Sequence, residues 1–143
     1  MLFRSQHEIK MNVEIKPLPG LESETGRAVA AACVDLPSDA VLLSSFSVDA
    51  LRAAQASAPG VARGLLVERI PSDWQPQLEQ LGAVALHAQA SALTAAQAAA
   101  VKRAGFGLMC YTVNDPEQAR ALFAWGVDAI CTDRLDLIGP DFR

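Results

Sequence analysis

The chain has 143 residues, of which 51% are hydrophobic and 20% are charged, and its formal net charge at pH 7 is -4. This size and composition predict one folded domain over residues 1–143 and exclude a disordered chain. An acidic surface with scattered basic residues argues against nucleic acid or an anionic membrane as a partner. No apolar run approaches the roughly 20 residues that span a bilayer, and no secretory leader pattern is present. We therefore predict a cytoplasmic protein.

Three cysteines, Cys33, Cys110 and Cys131, lie in apolar runs without metal-binding spacing. Their odd number argues against a disulfide framework. We interpret them as reduced residues of the core, which fits a reducing compartment.

Short apolar runs alternate with helical patterns along the chain. Strands are predicted to begin near residues 12, 41, 63, 83, 107 and 127. Spacings of about 20 to 30 residues are typical of βα units, which form parallel sheets. Such a sheet is either open or part of a closed (β/α)8 barrel, and a closed barrel needs about 200 residues or more. Six units without closure would leave exposed sheet edges, which predicts self-association.

The predicted helices carry local signals at their ends. Ser47, Thr94 and Asp115 stand where N-caps are expected, and Pro116 follows the last of them. The first helix is predicted from Ser23 to about Leu36. Its predicted apolar face consists of Ala28, Val29, Ala32 and Cys33.

The first predicted strand, residues 11–17, carries Glu14 and Lys16 in an otherwise apolar run. Because side chains alternate along a strand, Glu14 and Lys16 share one face while Val13 and Ile15 share the other. In a central strand the two charges would need a chemical reason to be buried. In an edge strand they would simply lie in water. The stretch alone is compatible with both interpretations, and the second is the simpler.

Four segments of the chain resemble motifs of the glycerophosphodiester phosphodiesterases, particularly their bacterial cytosolic branch. They are Asn-Val-Glu-Ile-Lys-Pro (12–17), Leu-Ser-Ser-Phe (43–46), Tyr-Thr-Val-Asn (111–114) and Gly-Val-Asp-Ala-Ile-Cys-Thr-Asp (126–133). The motifs occur in the family's order, and the resemblance covers about residues 11–142. It implies an α/β fold of the phospholipase-C-like (β/α)8 TIM-barrel type, of which this chain would hold the C-terminal five or six βα units.

The resemblance also implies an activity and a site. The family hydrolyses glycerophosphodiesters to glycerol 3-phosphate and an alcohol with a divalent metal, Ca²⁺ or Mg²⁺. Glu14 would be a metal ligand, Lys16 would contact the substrate phosphate, and Tyr111 would line the substrate pocket. Barrel sites lie at the C-terminal ends of strands. We place His87 at such an end, where it could touch substrate, although a structural role is the alternative.

Other family motifs have no counterpart in this sequence: a His-Arg-Gly strand, a Glu-x-Asp metal pair and a later His-Asp. We therefore expect the C-terminal portion of such an enzyme, produced by truncation or by a mis-set start, with no catalytic acid or base of its own. His7 is expected to be a surface residue. The rival hypothesis is a non-catalytic partial barrel that self-associates or complements a separate N-terminal half.

Overall fold

A computed structural model describes residues 10–142 of the chain. The chain divides into two compact units, each of which is described by itself. Unit 1 contains the chain up to Leu66 together with Leu78–Val84, and unit 2 contains Val67–Gln77 and the chain from Ala85 onward. His7 lies outside the described residues, so its expected surface position stays a prediction, as does the single domain over 1–143.

Unit 1 is built from parallel strands that alternate with helices. Its elements are β1 (Met11–Glu14), α1 (Glu22–Cys33), β2 (Val41–Ser45), α2 (Val48–Ser57) and β3 (Ala62–Val67), of which the last residue belongs to unit 2. β1 pairs with β2 so that Glu14 lies opposite Ser44, and β2 pairs with β3 so that Ser44 lies opposite Gly64. The predicted α/β class is therefore confirmed in this unit.

One face of these strands forms the core of unit 1. Ile15 and Leu43 are 2% and 0% exposed, and they pack with Ala30 of α1 and Ala50 of α2. Alternation along β1 thus directs Ile15 into the core and turns Glu14 to the opposite face.

The predicted apolar face of α1 is partly wrong. Ala28 and Ala32 are exposed, whereas the buried residues of α1 are Gly26, Ala30 and Cys33. Gly26 faces the backbone of Ala50 in α2 so closely that an added Cβ would overlap the Ala50 carbonyl oxygen. The absence of a side chain at Gly26 therefore permits the close approach of α1 and α2.

Arg63 is a buried charged residue of unit 1 that the sequence patterns did not identify. It is 5% exposed, and burial lowers the pKa of its guanidinium. Its guanidinium donates to four backbone carbonyl oxygens, those of Val61 (2.6 Å), Leu81 (3.0 Å), Gly82 (3.1 Å) and Pro59 (3.3 Å). Arg63 thus ties the turn after α2 and the turn at Leu81 and Gly82 to the start of β3.

Unit 2 repeats the pattern. Its elements are α3 (Trp74–Gln80), β4 (Ala85–Gln89), a 3-10 turn (Ala90–Ala92), α4 (Ala95–Arg103), β5 (Gly107–Tyr111), α5 (Pro116–Ala124) and β6 (Ala129–Ile130). Only the part of α3 up to Gln77 belongs to this unit. β4, β5 and β6 pair in parallel. No helix within residues 10–142 is long and apolar enough to cross a membrane.

The predicted N-caps are confirmed in both units. Ser47 accepts from the Ala50 backbone N–H at 3.1 Å, and Asp115 accepts from that of Glu117 at 3.0 Å. Thr94 forms a full capping box with Gln97. These side chains satisfy backbone donors that the first helical turn leaves without a partner.

Two expectations need correction. The strand predicted at residues 83–87 is observed at Ala85–Gln89, so His87 lies in its middle and not at its C-terminal end. Ala83 instead belongs to the C-terminal cap of α3, because its N–H donates to the Leu78 carbonyl oxygen at 2.9 Å. None of the three cysteines forms a disulfide, but Cys131 is only partly buried while Cys33 and Cys110 are buried.

Close packing at Gly26 predicts the effect of one methyl group. We expect the overlap of the added methyl group with the α2 backbone in Gly26→Ala to lower the free energy of unfolding by about 2 to 3 kcal/mol, the upper part of the range for overpacking. This loss should outweigh the gain of about 1 kcal/mol in helix propensity. Chemical denaturation measures the difference.

The matched control for this test is Gly60→Ala. No atom lies within 4 Å of a Cβ built at Gly60, so this variant should unfold within about 1 kcal/mol of the wild type. Equal stability of Gly26→Ala and the wild type would contradict the packing of α1 on α2.

Candidate active site

Glu14 and Lys16 form an ion pair at the carboxyl end of β1. The Lys16 Nζ lies 3.4 Å from the Glu14 Oε2, and the two side chains are 77% and 34% exposed, respectively. Both side chains lie opposite the buried Ile15, so the predicted shared face is confirmed. Their exposure matches the edge-strand interpretation and means that the pair itself stabilises the fold little. Both groups are accessible to a ligand.

A pocket of about 380 Å³ opens beside this ion pair, where β1 and β2 end. Its polar lining includes Glu14, Lys16, Glu22, Ser45 and Ser47. It offers the Lys16 ammonium group and the Ser47 hydroxyl group to a small polar ligand, alongside two carboxylates.

The two serines of the β2 motif occupy different environments. Ser45 donates to the Ile15 carbonyl oxygen at 2.7 Å and accepts from the Ser47 N–H at 3.0 Å, which joins the ends of β1 and β2. Ser44 is fully buried, and its Oγ has no hydrogen-bond partner among the described residues. Ser44 lies opposite Glu14 in the register of β1 and β2. Ser45 is therefore a structural hydroxyl that links the two strand ends.

His87 and Tyr111 share one face of unit 2. In the register of β4 and β5, His87 lies opposite Met109 and Gln89 lies opposite Tyr111. Alternation then puts His87, Gln89, Met109 and Tyr111 on the same side of the two strands.

His87 is buried and neutral. Its exposure is 3%, and desolvation lowers the pKa of its imidazole from 6.5 to about 4. The Nδ1 atom has no hydrogen-bond partner within residues 10–142. A neutral imidazole can donate one hydrogen bond and accept another, but it does not act as a cation near pH 7.

Tyr111 ends β5 and is half-buried. Its hydroxyl donates to the Val67 carbonyl oxygen at 2.8 Å. This bond fixes the phenol, so the ring edge and face are what Tyr111 can present to a ligand.

Asn114 links the loops that follow β5 and β6. Its Oδ1 accepts from the Asp133 N–H at 2.9 Å and from the Thr132 hydroxyl at 3.2 Å, and its Nδ2 donates to the Asp133 carboxylate at 3.2 Å. The motifs at 111–114 and 126–133 contained these residues, but the contact depends on the adjacency of β5 and β6. Asp133 therefore helps to hold the loop after β6 against the loop after β5.

The described residues do not by themselves fit a divalent metal ion. Ca²⁺ and Mg²⁺ take six or more oxygen ligands, several of them from carboxylates or water. Within residues 10–142, no three side chains of His, Cys, Asp or Glu are grouped so that they could hold a metal ion. Glu14 and Glu22 are the two carboxylates that line the pocket. Glu14 can thus contribute at most part of a ligand set.

The site residues of the sequence analysis fall into two pairs. Glu14 and Lys16 come together in unit 1, and His87 and Tyr111 share a face in unit 2. Their roles toward metal and substrate stay predictions.

Solved structures share this fold. A phosphodiesterase from Oleispira antarctica, in complex with the product sn-glycerol-3-phosphate, is 39% identical with a TM-score of 0.84 over 90% of this chain and 53% of that one. Enzymes described as glycerophosphodiester phosphodiesterases from Thermotoga maritima and Parabacteroides distasonis are 24% and 20% identical, with TM-scores of 0.70 and 0.74. The alignments cover 90% and 92% of this chain and 55% and 57% of theirs.

The chain therefore spans about half the length of these proteins, and its fold is a partial (β/α)8 barrel of the α/β class. No curated protein matches the sequence. The sequence profile of the glycerophosphoryl diester phosphodiesterase family, in contrast, matches residues 2–137, which is nearly the whole chain. The chain belongs to the glycerophosphoryl diester phosphodiesterase family.

Proposed function

We propose that this chain forms the phosphate-binding side of an enzyme that hydrolyses glycerophosphodiesters to glycerol 3-phosphate and an alcohol, a reaction of lipid metabolism. The proposal rests on the accessible Lys16 ammonium, which lines a pocket at the carboxyl end of β1. It also rests on the membership of the chain in this family. The Oleispira antarctica phosphodiesterase, solved with sn-glycerol-3-phosphate, supports this substrate class.

Lys16 supplies the positive charge that a phosphodiester requires. The phosphate is anionic before the reaction, and a fixed cation stabilises the charge that develops on its oxygens during displacement. Glu14, at 3.4 Å, orients the ammonium toward the pocket. The neighbouring hydroxyl of Ser47 can donate a further hydrogen bond to a phosphate oxygen.

For the metal, we propose Ca²⁺ or Mg²⁺ with Glu14 as one ligand. Because the described residues lack a complete ligand set, the other ligands would come from outside them.

Tyr111 and His87 are proposed to line the substrate side of unit 2. The hydroxyl bond to Val67 holds the Tyr111 ring in place as an apolar wall. A neutral His87, with a free Nδ1, suits a hydrogen bond to a substrate hydroxyl better than it suits general acid catalysis.

The activity of this chain alone is a separate matter. We propose that it is low, because the described residues offer neither a cationic histidine nor a group of metal ligands. That same observation favours a second candidate: a non-catalytic partial barrel that self-associates or complements a separate half. Release of glycerol 3-phosphate from glycerophosphocholine, with Ca²⁺, Mg²⁺ or chelator, distinguishes the two.

The partner we propose is therefore a small-molecule glycerophosphodiester, with no role for nucleic acid. The location we propose is the cytoplasm, which fits cysteines that form no disulfide.

The phosphate role of Lys16 predicts a loss of affinity on charge removal. Lys16→Met should weaken the binding of sn-glycerol 3-phosphate by about 10- to 100-fold, the usual value of a hydrogen bond to a charged group. Isothermal titration calorimetry at fixed ionic strength measures the dissociation constant.

Lys10→Met provides the matched control, because Lys10 is an exposed lysine just before β1. It lies six residues from Lys16, about 20 Å along an extended chain. Its replacement makes the same change in net charge and should leave binding unaltered. Equal losses in both variants, or no loss in Lys16→Met, would rule out a phosphate site at Lys16.

The burial of His87 predicts a pH-dependent stability. The pKa of His87 is about 4 in the folded chain against 6.5 for the free side chain, so the unfolded state binds the proton more readily between these values. Above pH 6.5 the free energy of unfolding should keep its full value, and it should fall by roughly 3 kcal/mol as the pH drops to 4. Urea denaturation across this range measures it.

The control for this titration is His87→Gln, which should lose most of the dependence in that window. The second histidine can be removed by His7→Gln, so that NMR follows one imidazole. A pKa near 6.5 for His87 would contradict the conclusion that its imidazole is buried and has no charged partner.

A further inference from the structure

Two sulfur atoms lie side by side in unit 2. The Cys131 Sγ is 4.0 Å from the Met109 Sδ. Met109 lies opposite Ala129 in the register of β5 and β6, so Cys131, two residues beyond Ala129, points to the face that carries Met109. The Cys131 N–H donates to the Cys110 carbonyl oxygen at 2.8 Å, and its carbonyl oxygen accepts from the Val113 N–H at 2.7 Å. The backbone of the sheet therefore holds the two sulfur atoms together.

The imidazole of His87 lies across from this sulfur pair. His87 is opposite Met109 in the register of β4 and β5, and paired strands are only about 4.8 Å apart. The His87 Nδ1 is buried and has no hydrogen-bond partner in the part of the chain that the structure describes. Because a buried polar atom without a partner is costly, it marks a position where a ligand is expected. Burial also lowers the pKa of this imidazole to about 4, so it is in the neutral form that binds metals.

These three donors match a soft metal ion. Thiolate and thioether sulfur select Cu(I), and imidazole nitrogen also suits copper. A metal–sulfur bond is about 2.3 Å long, so two such bonds at about 120° place their sulfur atoms about 4 Å apart. The distance of 4.0 Å between the Cys131 Sγ and the Met109 Sδ therefore matches two ligands of a three-coordinate ion.

We propose that unit 2 binds one Cu(I) ion through the Cys131 thiolate, the Met109 thioether and the His87 Nδ1. Binding releases the thiol proton of Cys131 to the solvent and leaves the oxidation state of copper unchanged. The ion occupies the His87 Nδ1, which the proposed function assigns to a substrate hydroxyl, so copper and substrate compete for this atom. The inference goes beyond the proposed function and does not rest on it.

Charge favours a monovalent ion over a divalent one at this position. One thiolate neutralises Cu(I), and a neutral complex suits side chains that are partly or fully buried. Zn²⁺ would keep a net positive charge here and would lack the four ligands that it usually takes. Only two of the three donors are His or Cys, which agrees with the absence, within residues 10–142, of three grouped His, Cys, Asp or Glu side chains that could hold a metal ion.

The other two cysteines suit a metal ion less well. Cys110 is fully buried on the opposite face of β5, and burial raises the pKa of its thiol to about 12. Cys110 therefore keeps the proton that a metal ligand has to lose. Cys33 belongs to the apolar core of unit 1. Cys131 is only partly buried, so an ion from the solvent can reach it.

Anaerobic competition with bicinchoninate, a coloured Cu(I) chelator, measures the affinity for copper. The wild type should take up one equivalent of Cu(I). Cys131→Ala, Met109→Leu and His87→Gln should each weaken binding by at least about tenfold, because the loss of a residue that merely supports a metal ligand already costs about 10- to 100-fold. Circular dichroism verifies that each variant is folded.

Cys33→Ala and Met11→Leu are the matched controls. Each makes the same change of side chain as one of the test variants, but at a position in unit 1. Both controls should bind Cu(I) as tightly as the wild type, because neither residue belongs to the proposed ligand set.

X-ray absorption at the copper edge examines the ligands in the wild type, without any substitution. We expect two sulfur atoms and one nitrogen atom at about 2.0 to 2.3 Å from the ion. A shell without nitrogen, together with an unchanged affinity of His87→Gln, would overturn the inference. So would the absence of Cu(I) uptake, equal losses in the control variants, or displacement of Cu(I) by an equal concentration of Zn²⁺.

Discussion

Side chains alternate between the two faces of each parallel strand, and this alternation determines both the core and the candidate site. In unit 1 it directs Ile15 and Leu43 into the helix-packed core and turns Glu14 and Lys16 to the opposite face. Since the strands of the unit run in parallel, β1 and β2 end at one edge, where the pocket opens. A shift of one residue in β1 would bury both charges and expose Ile15, so the stability of the core and the chemistry of the site share one register.

The helices and turns hold that register in place. α1 packs closely on α2 because Gly26 lacks a side chain, and the two helices cover Ile15 and Leu43. Arg63 forms hydrogen bonds to backbone carbonyls of the turns near the start of β3. The several N–H groups of its guanidinium make four of these hydrogen bonds possible. The core thus leaves the carboxyl ends of the strands free to carry functional side chains.

Local features could be predicted from the sequence, and contacts between distant segments could not. The caps at Ser47, Thr94 and Asp115 and the shared face of Glu14 and Lys16 depend on neighbours within three residues, so their patterns sufficed. The buried face of α1 was misassigned because alanines on every side of the helix leave no clear apolar period. The position of His87 in its strand could not be predicted, because residues 83 and 84 are as apolar as a strand although Ala83 belongs to the C-terminal cap of α3. The bond from Tyr111 to Val67 spans 44 residues.

We propose that Lys16 receives the phosphate of a glycerophosphodiester at the carboxyl end of β1. A crystal structure of the chain with sn-glycerol 3-phosphate would reveal this contact. We expect a phosphate oxygen within hydrogen-bond distance of the Lys16 Nζ, in the pocket that Glu14 and Ser47 also line. A phosphate bound elsewhere, with Lys16 still paired to Glu14 and facing solvent, would show that Lys16 is not the phosphate-binding group.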